Sequence, residues 1–348
     1  MSRSADLPPT ARRRTRSVHA TVLVLTIAAA CTDAPVAPIE GGGHRPSDRT
    51  TSVMPVTPDV GNLPSSVEGG VRVFRLRAHV FTQQIATFPI RMAEVWGYNG
   101  STPGPTAISY EGERVRFIVQ NDLPEPTTVH FHGAHAPNED DGVPGISQPA
   151  PIPPGGTYTY EFTPGHTGTF AYHSHTNSAK QELKGLDGFF IVLPRRAPAR
   201  ERVDRDFAFV LQSWFFKAEG QPVEPFPPGG EFNFHTMNGK TRDAATELSA
   251  RVGEKIRLRF YNASQLMHSM HQHGFDLVIE SQNGHEQPQR IVTTVDEGPG
   301  NFHEVVFVAE KPGKWIVHCH FTHHTSNDMQ EGPMGSPVGM GRVINVTP

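Results

Sequence analysis

The chain has 348 residues, room for two domains of ordinary size. Glycine (33) and proline (32) are abundant and charged residues make up only 19%, a mixture that fits a turn-rich all-β chain better than a helical one. A net charge of -4 argues against nucleic acid or an anionic membrane as the main partner; 2 cysteines exclude a disulfide framework, and 19 histidines point to metal.

The N-terminus reads as an address. Arg3, Arg12, Arg13, Arg14 and Arg16 precede an apolar run from Val18 to Ala30, interrupted by His19. This is the charged region and hydrophobic stretch of an export signal over residues 1–30, too short for a permanent membrane helix. The run ends in small residues at Ile27-Ala28-Ala29-Ala30-Cys31, which resembles a bacterial lipoprotein signal with Cys31 as the lipid-anchored mature terminus; because Ala28 stands where Leu is commoner, cleavage before Cys31 without lipidation is the alternative. The expected location is therefore exported: periplasmic or otherwise extracytoplasmic. Residues 31–70, rich in Pro, Gly, Ser and Thr, read as a flexible tether.

The rest of the chain repeats itself. Gly112-Glu113-Arg114-Val115-Arg116-Phe117 aligns with Gly253-Glu254-Lys255-Ile256-Arg257-Leu258, and His130-Phe131-His132-Gly133 with His271-Gln272-His273-Gly274, both at an offset of 141. Phe162, Gly168, Phe170 and His173-Ser174-His175 align with Phe307, Gly313, Trp315 and His318-Cys319-His320 at an offset of 145, so one loop insertion separates the copies. Short runs of β-branched and aromatic residues (115–119, 158–162, 256–260, 305–308) alternate with Gly/Pro turns. Two tandem β-sandwiches of about seven or eight strands each are expected, over 71–194 and 206–346, with 195–205 as linker.

Alternate residues of a strand share a face. His130/His132, His173/His175, His271/His273 and His318/His320 are thus four pairs whose rings can point together, at duplicated positions. Eight converging imidazoles would repel one another unless neutral and bound to metal. The last motif continues His318-Cys319-His320-Phe321-Thr322-His323-His324, with Met329 five residues further on. A thiolate, an imidazole four or five residues on and a thioether beyond match the ligand set of a blue copper site, with His268 as candidate for the second imidazole. Alternation sends Cys319 to one face and His318 and His320 to the other, so three consecutive residues serve two metal sites. His19, His44, His79, His135, His166, His235, His285 and His303 fall outside the motifs and read as surface or core histidines, while His323 is ambiguous beside His324.

These motifs, with non-ligand stretches such as Asp141-Gly142-Val143-Pro144-Gly145 and Asn238-Gly239-Lys240, resemble the multicopper oxidases, and the number of halves points to their two-domain, laccase-like branch. The resemblance implies two cupredoxin-like Greek-key sandwiches and four coppers per chain. It assigns His268, Cys319, His324 and Met329 to the type 1 copper, and His130 and His271 to the type 2. It assigns His132, His173, His175, His273, His318 and His320 to the type 3 pair. It further implies one-electron oxidation of a small reducing substrate, electron transfer through Cys319 to His318 and His320, and reduction of dioxygen to water. Asp141 matches the family's acidic residue near the cluster, a proton donor or relay. The branch assembles as a homotrimer in which the first half of one subunit meets the second half of the next.

The favoured donors are phenols, aromatic amines or similar one-electron donors, with a metal ion, Cu(I), Fe(II) or Mn(II), as the alternative within the same chemistry. Two competing functions are a copper nitrite reductase, disfavoured because Ser174 stands at the first-half counterpart of Cys319, and a non-catalytic copper-binding or electron-carrying protein.

Overall fold

The computed structural model describes residues 53–217, 222–225, 227 and 230–348. The expected export segment, Cys31 and residues 31–52 of the tether lie outside the described residues. Among the described residues no helix is long and apolar enough to cross a membrane.

The first half runs β1 (Ser65–Glu68), β2 (Val71–Thr87), β3 (Ile90–Tyr98), β4 (Gly104–Tyr110), β5 (Arg114–Asp122), β6 (His130–His132), β7 (Thr157–Phe162), β8 (Gly168–His173), the short helix α1 (Ser178–Gln181) and β9 (Asp187–Leu193). The second runs β10 (Arg205–Trp214), β11 (Phe234–Met237), β12 (Leu248–Arg251), β13 (Lys255–Asn262), β14 (His268–Gln272), β15 (Leu277–Gln282), β16 (His285–Val292), β17 (Thr294–Glu297), β18 (Phe302–Val308), β19 (Gly313–Cys319) and β20 (Gly341–Thr347).

Each half is a pair of sheets, and the pairing repeats. In the first, β2-β5-β7 faces β4-β9-β8-β6; in the second, β10-β13-β18 faces β12-β20-β19-β14. The parallel pairs recur too, β2 with β5 and β4 with β9 against β10 with β13 and β12 with β20. Two tandem cupredoxin-like sandwiches are thus present. The strands outnumber the seven or eight expected per half, because short strands such as β1 and β17 and the β15–β16 hairpin lack strong alternation in the sequence.

Alternation builds both cores. On β5, Val115, Phe117 and Val119 face in and join Phe74, Phe131, Phe162 and Phe190; on β13, Ile256, Leu258 and Phe260 join Phe207, Phe307, Val317 and Ile344. A third cluster welds the halves: Phe189, Ile191 and Leu193 pack against Val210, Tyr261 and Phe302. Burial of such side chains contributes roughly 1.5–3 kcal/mol each.

The tether expectation is corrected for residues 53–70. Val56 bridges to Phe207, Asn62 bridges to Thr106, and Leu63 enters the first core. Asp59 forms a buried ion pair with Arg342 of the last strand. The composition resembled a linker, but its backbone groups find partners along the seam between the halves, and the segment is held by them.

Candidate metal centres

β14 and β19 lie side by side, with Met270 opposite Cys319 and His271 opposite His318. Burial along β14 alternates strictly, so His268, Met270 and Gln272 face the core while Ser269 and His271 face out. On β19, Cys319 is buried and His318 is on the outer face. One sheet therefore carries two constellations, one on each side.

On the inner face three donors converge. Cys319 Sγ is 3.3 Å from His324 Nδ1 and 3.7 Å from His268 Nδ1, and the two Nδ1 atoms are 3.1 Å apart. The far nitrogen of His268 faces Ser264 Oγ at 2.8 Å, which orients the ring. All three residues are buried. Burial, with His324 and His323 nearby, holds the His268 pKa well below its ordinary value; burial and His323 push that of His324 down to about 3. Burial pushes the Cys319 thiol up to about 11.

Met329 does not join this group. It is 80% exposed and has left-handed backbone (φ +60°). Met340 is 1% exposed and packs in the same core cluster as Cys319. Its backbone N–H donates to His324 O (2.8 Å) and its carbonyl accepts from Cys319 N–H (3.3 Å). The spacing counted from His324 failed because the segment from Ser326 to Val338 loops out before the chain returns to β20. The usable signal was position: Met340 immediately precedes the strand that pairs with the cysteine strand.

A further residue was missed. His235 is buried and stacks on His324, ring centroids 3.9 Å apart, with Nδ1 3.0 Å from Ser213 Oγ. Ser213 Oγ also lies 3.4 Å from His268 Nε2, so Ser213 touches both rings. Nothing in the sequence around His235 marks it.

The outer face carries His271, His273, His318 and His320, with ring centroids 5.0 to 5.8 Å apart in the pairs that touch. The first half holds the matching tetrad His130, His132, His173 and His175 on β6, β8 and the loop after it, at 5.2 to 6.4 Å. The duplication extends to tautomers. Nδ1–H donates to a backbone carbonyl in His130 (Asp141 O, 2.8 Å), His173 (Ser174 O, 2.9 Å), His271 (Thr293 O, 2.6 Å) and His318 (Cys319 O, 2.8 Å). Each ring thereby keeps its Nε2 lone pair free for a metal. Among the described residues no ring of one tetrad pairs with a ring of the other.

Carboxylates surround the first tetrad. Asp141 Oδ1 is 3.2 Å from His130 Nδ1, in a turn where Gly142 (φ +79°) passes so close to Val129 that an added Cβ would sit 1.9 Å from its carbonyl oxygen. Burial alone would lower the His173 pKa, but the Glu182 carboxylate, 3.5 Å from Nδ1, raises it. Burial, then His173 and His130, push His132 down to about 4.

At the first-half counterpart of the inner centre, Ser174, Thr127 and Gln181 form a buried hydroxyl–amide network, Thr127 donating to Gln181 Oε1 at 2.8 Å. The same pocket in one half is a candidate metal donor set, in the other a hydrogen-bond network. A cavity of about 750 Å³ lies between the 197–204 segment and β15–β18, and none of these histidines lines it.

A duplicated sandwich with a buried Cys–His–His centre and two histidine tetrads defines a cupredoxin-fold metalloprotein. Residues 81–197 and 220–331 match family models described as multicopper oxidase, between them most of the chain. The chain belongs to the multicopper oxidase family, and the family implies copper. A soft thiolate among imidazoles fits that metal.

The chain is 32% identical over 209 residues to Laccase-2 of Cryptococcus neoformans var. grubii, covering 52% of this chain and 34% of that protein. It is 34% identical over 161 residues to copper resistance protein A of Escherichia coli, covering 45% of this chain and 26% of that protein. The chain thus spans about a third or less of these curated relatives. Among solved structures, the blue copper oxidase from Nitrosomonas europaea superposes with TM-score 0.73 at 29% identity, covering 79% of this chain and 85% of that one.

Proposed function

We propose that this protein is a laccase-like oxidase that couples one-electron oxidation of small reducing substrates to four-electron reduction of O2 to water. The observation that carries this reading is the placement of Cys319 on the inner face at the end of β19, with His318 on the strand's outer face and His320, the next residue, exposed beside it. Copper bound at these residues supplies one-electron redox chemistry. His268, Cys319 and His324 would hold the substrate-side copper, with Met340 rather than Met329 as a weak thioether ligand. From Cys319 Sγ a covalent path runs through the main chain to the His318 and His320 rings.

The two tetrads supply the oxygen-side centre: His130 and His271 as type 2 ligands, the other six as the type 3 pair, about four coppers per chain in all. Asp141, beside His130, is the proposed proton donor or relay for water formation. Because the tetrads are separate within one chain and the second is half exposed, we place the complete centre between subunits, in a head-to-tail homotrimer. Export by the N-terminal signal, with Cys31 as a lipid anchor, belongs to the same proposal. Relatives named laccase, copper resistance protein and iron transport multicopper oxidase support phenols or metal ions as donors.

The test is a copper count with oxygen-uptake screening against phenols, Cu(I), Fe(II) and Mn(II). About four coppers per chain, an intense blue absorption and oxygen consumption with one donor class are expected. Two coppers with nitrite turnover and no oxygen uptake overturn the reading in favour of a nitrite reductase. Copper bound without turnover of any donor leaves an electron carrier.

A further inference from the structure

Three histidines read from the sequence as unremarkable, His135, His166 and His285, come together away from both copper constellations. One ligand nitrogen from each lies within 4.8 Å of the others. Ring centroids are 4.6 Å apart for His135 and His166, 4.8 Å for His166 and His285, and 6.3 Å for His135 and His285. His135 and His166 belong to first-half loops after β6 and before β8; His285 opens β16 of the second half. The cluster straddles the seam.

The surroundings favour a ligand over chance contact. His166 Nδ1–H donates to Thr167 O at 2.9 Å, leaving a lone pair on Nε2, and that Nε2 is buried with no hydrogen-bond partner. A buried acceptor without a donor is costly, and a cation at this position removes the cost. The His166 ring is held edge-on against Phe170 at 4.9 Å.

Glycines make room for the rings. A Cβ on Gly165 would sit 2.9 Å from His135 Cβ and 3.1 Å from its Nδ1, and one on Gly284 would sit 3.0 Å from His166 Cε1. The Gly168 Cα approaches Gly284 so closely that a Cβ there would lie 2.9 Å from the Gly284 Cα. Backbone contact between the halves and the histidine cluster are thus one local structure.

We propose that His135, His166 and His285 bind a divalent cation of the borderline class, such as Zn²⁺, Cu²⁺ or Ni²⁺, at a site separate from the oxidase coppers. Three imidazoles with water in the fourth position make an open tetrahedral site, whose nitrogens stand roughly 3.4 Å apart at ordinary metal–nitrogen lengths of about 2.0–2.1 Å. The present spacing, within 4.8 Å, leaves about 1.4 Å or less to close, and two of the three residues, His135 and His285, are exposed. With ligands from both halves, the ion ties the β15–β16 hairpin to the first half and stabilises the folded chain by mass action.

The experiment titrates Zn²⁺ into the copper-loaded full chain and counts metals after desalting, with His285→Ala and His135→Ala in parallel. Circular dichroism checks the fold, and the blue absorption checks that zinc has not displaced copper. The expected result is one additional zinc per wild-type chain and apparent affinity at least about a hundredfold weaker in both variants, a loss larger than that of an outer-shell partner. A raised wild-type melting temperature with zinc, absent in the variants, is expected alongside. No additional zinc in the wild type, or equal zinc in wild type and folded variants, overturns the proposal. Neither result depends on oxidase activity, so the proposal fails or stands apart from the functional reading.

Discussion

The Met340 backbone N–H closes on the carbonyl of His324 at 2.8 Å, and this bond brings the end of a long loop back to the inner-face centre. Met340 is buried in the core cluster that holds Cys319, while Met329 is left on the surface. Met340→Leu is expected to keep the blue absorption but raise the reduction potential of this centre, since the axial ligand tunes it. The shift should reach about 59 mV or more, a tenfold change for one electron. Met329→Leu should leave spectrum and potential unchanged. Redox titration of the two variants decides; the reverse pattern would restore Met329 as the ligand.

Cys319→Ser removes the only thiol of the inner centre. Blue absorption and donor oxidation should both vanish, while the outer-face histidines continue to bind copper. Metal analysis should show about one copper fewer per chain. Persistence of the blue band would refute the assignment of Cys319.

Copper binding at the inner centre should release about one proton near neutral pH. The thiol pKa of about 11 keeps Cys319 protonated until metal arrives, whereas His324, at about 3, is already neutral. Proton release can be followed with an indicator dye in weak buffer. Release near zero, or near three, would mean that the resting protonation of these groups is different.

The same burial makes the copper-free protein sensitive to acid. His132 and His324 fall from the ordinary 6.5 to about 4 and about 3, so below pH 6.5 the unfolded chain binds more protons than the folded one. Stability should therefore be fully present above pH 6.5, fall as pH drops through the window down to about 3, and flatten below it. Thermal melts of copper-free protein from pH 7 to 4 test the sign. A melting temperature that rises on acidification contradicts it.

Asp59→Ala should destabilise the chain by about 3–5 kcal/mol, because it leaves the Arg342 guanidinium buried without its partner. Denaturant unfolding gives the value. A loss under about 1 kcal/mol would mean that water reaches the guanidinium and solvates its charge.

Much of the site was legible because strand geometry is simple. A period of two sends His318 and Cys319 to opposite faces whatever the rest of the chain does, and the internal repeat locates both tetrads. His268 was also legible, lying on the strand that carries His271. Spacing along a loop has no such period, which is why it pointed to Met329, which is exposed, and not to Met340, which is buried. Composition misled at residues 53–70, where small polar residues that suit a tether also suit a strap bonded along a seam.

The sequence by itself determined the duplicated all-β architecture, the four histidine pairs and the division of neighbouring residues between two faces, since all of these follow from local periodicity and repetition. Only the tertiary structure decided which methionine is buried near the cysteine, that His235 stacks on His324, and that His135, His166 and His285 meet. Those are contacts between residues far apart in the chain, set by how sheets pack and where loops return, and no local pattern encodes them.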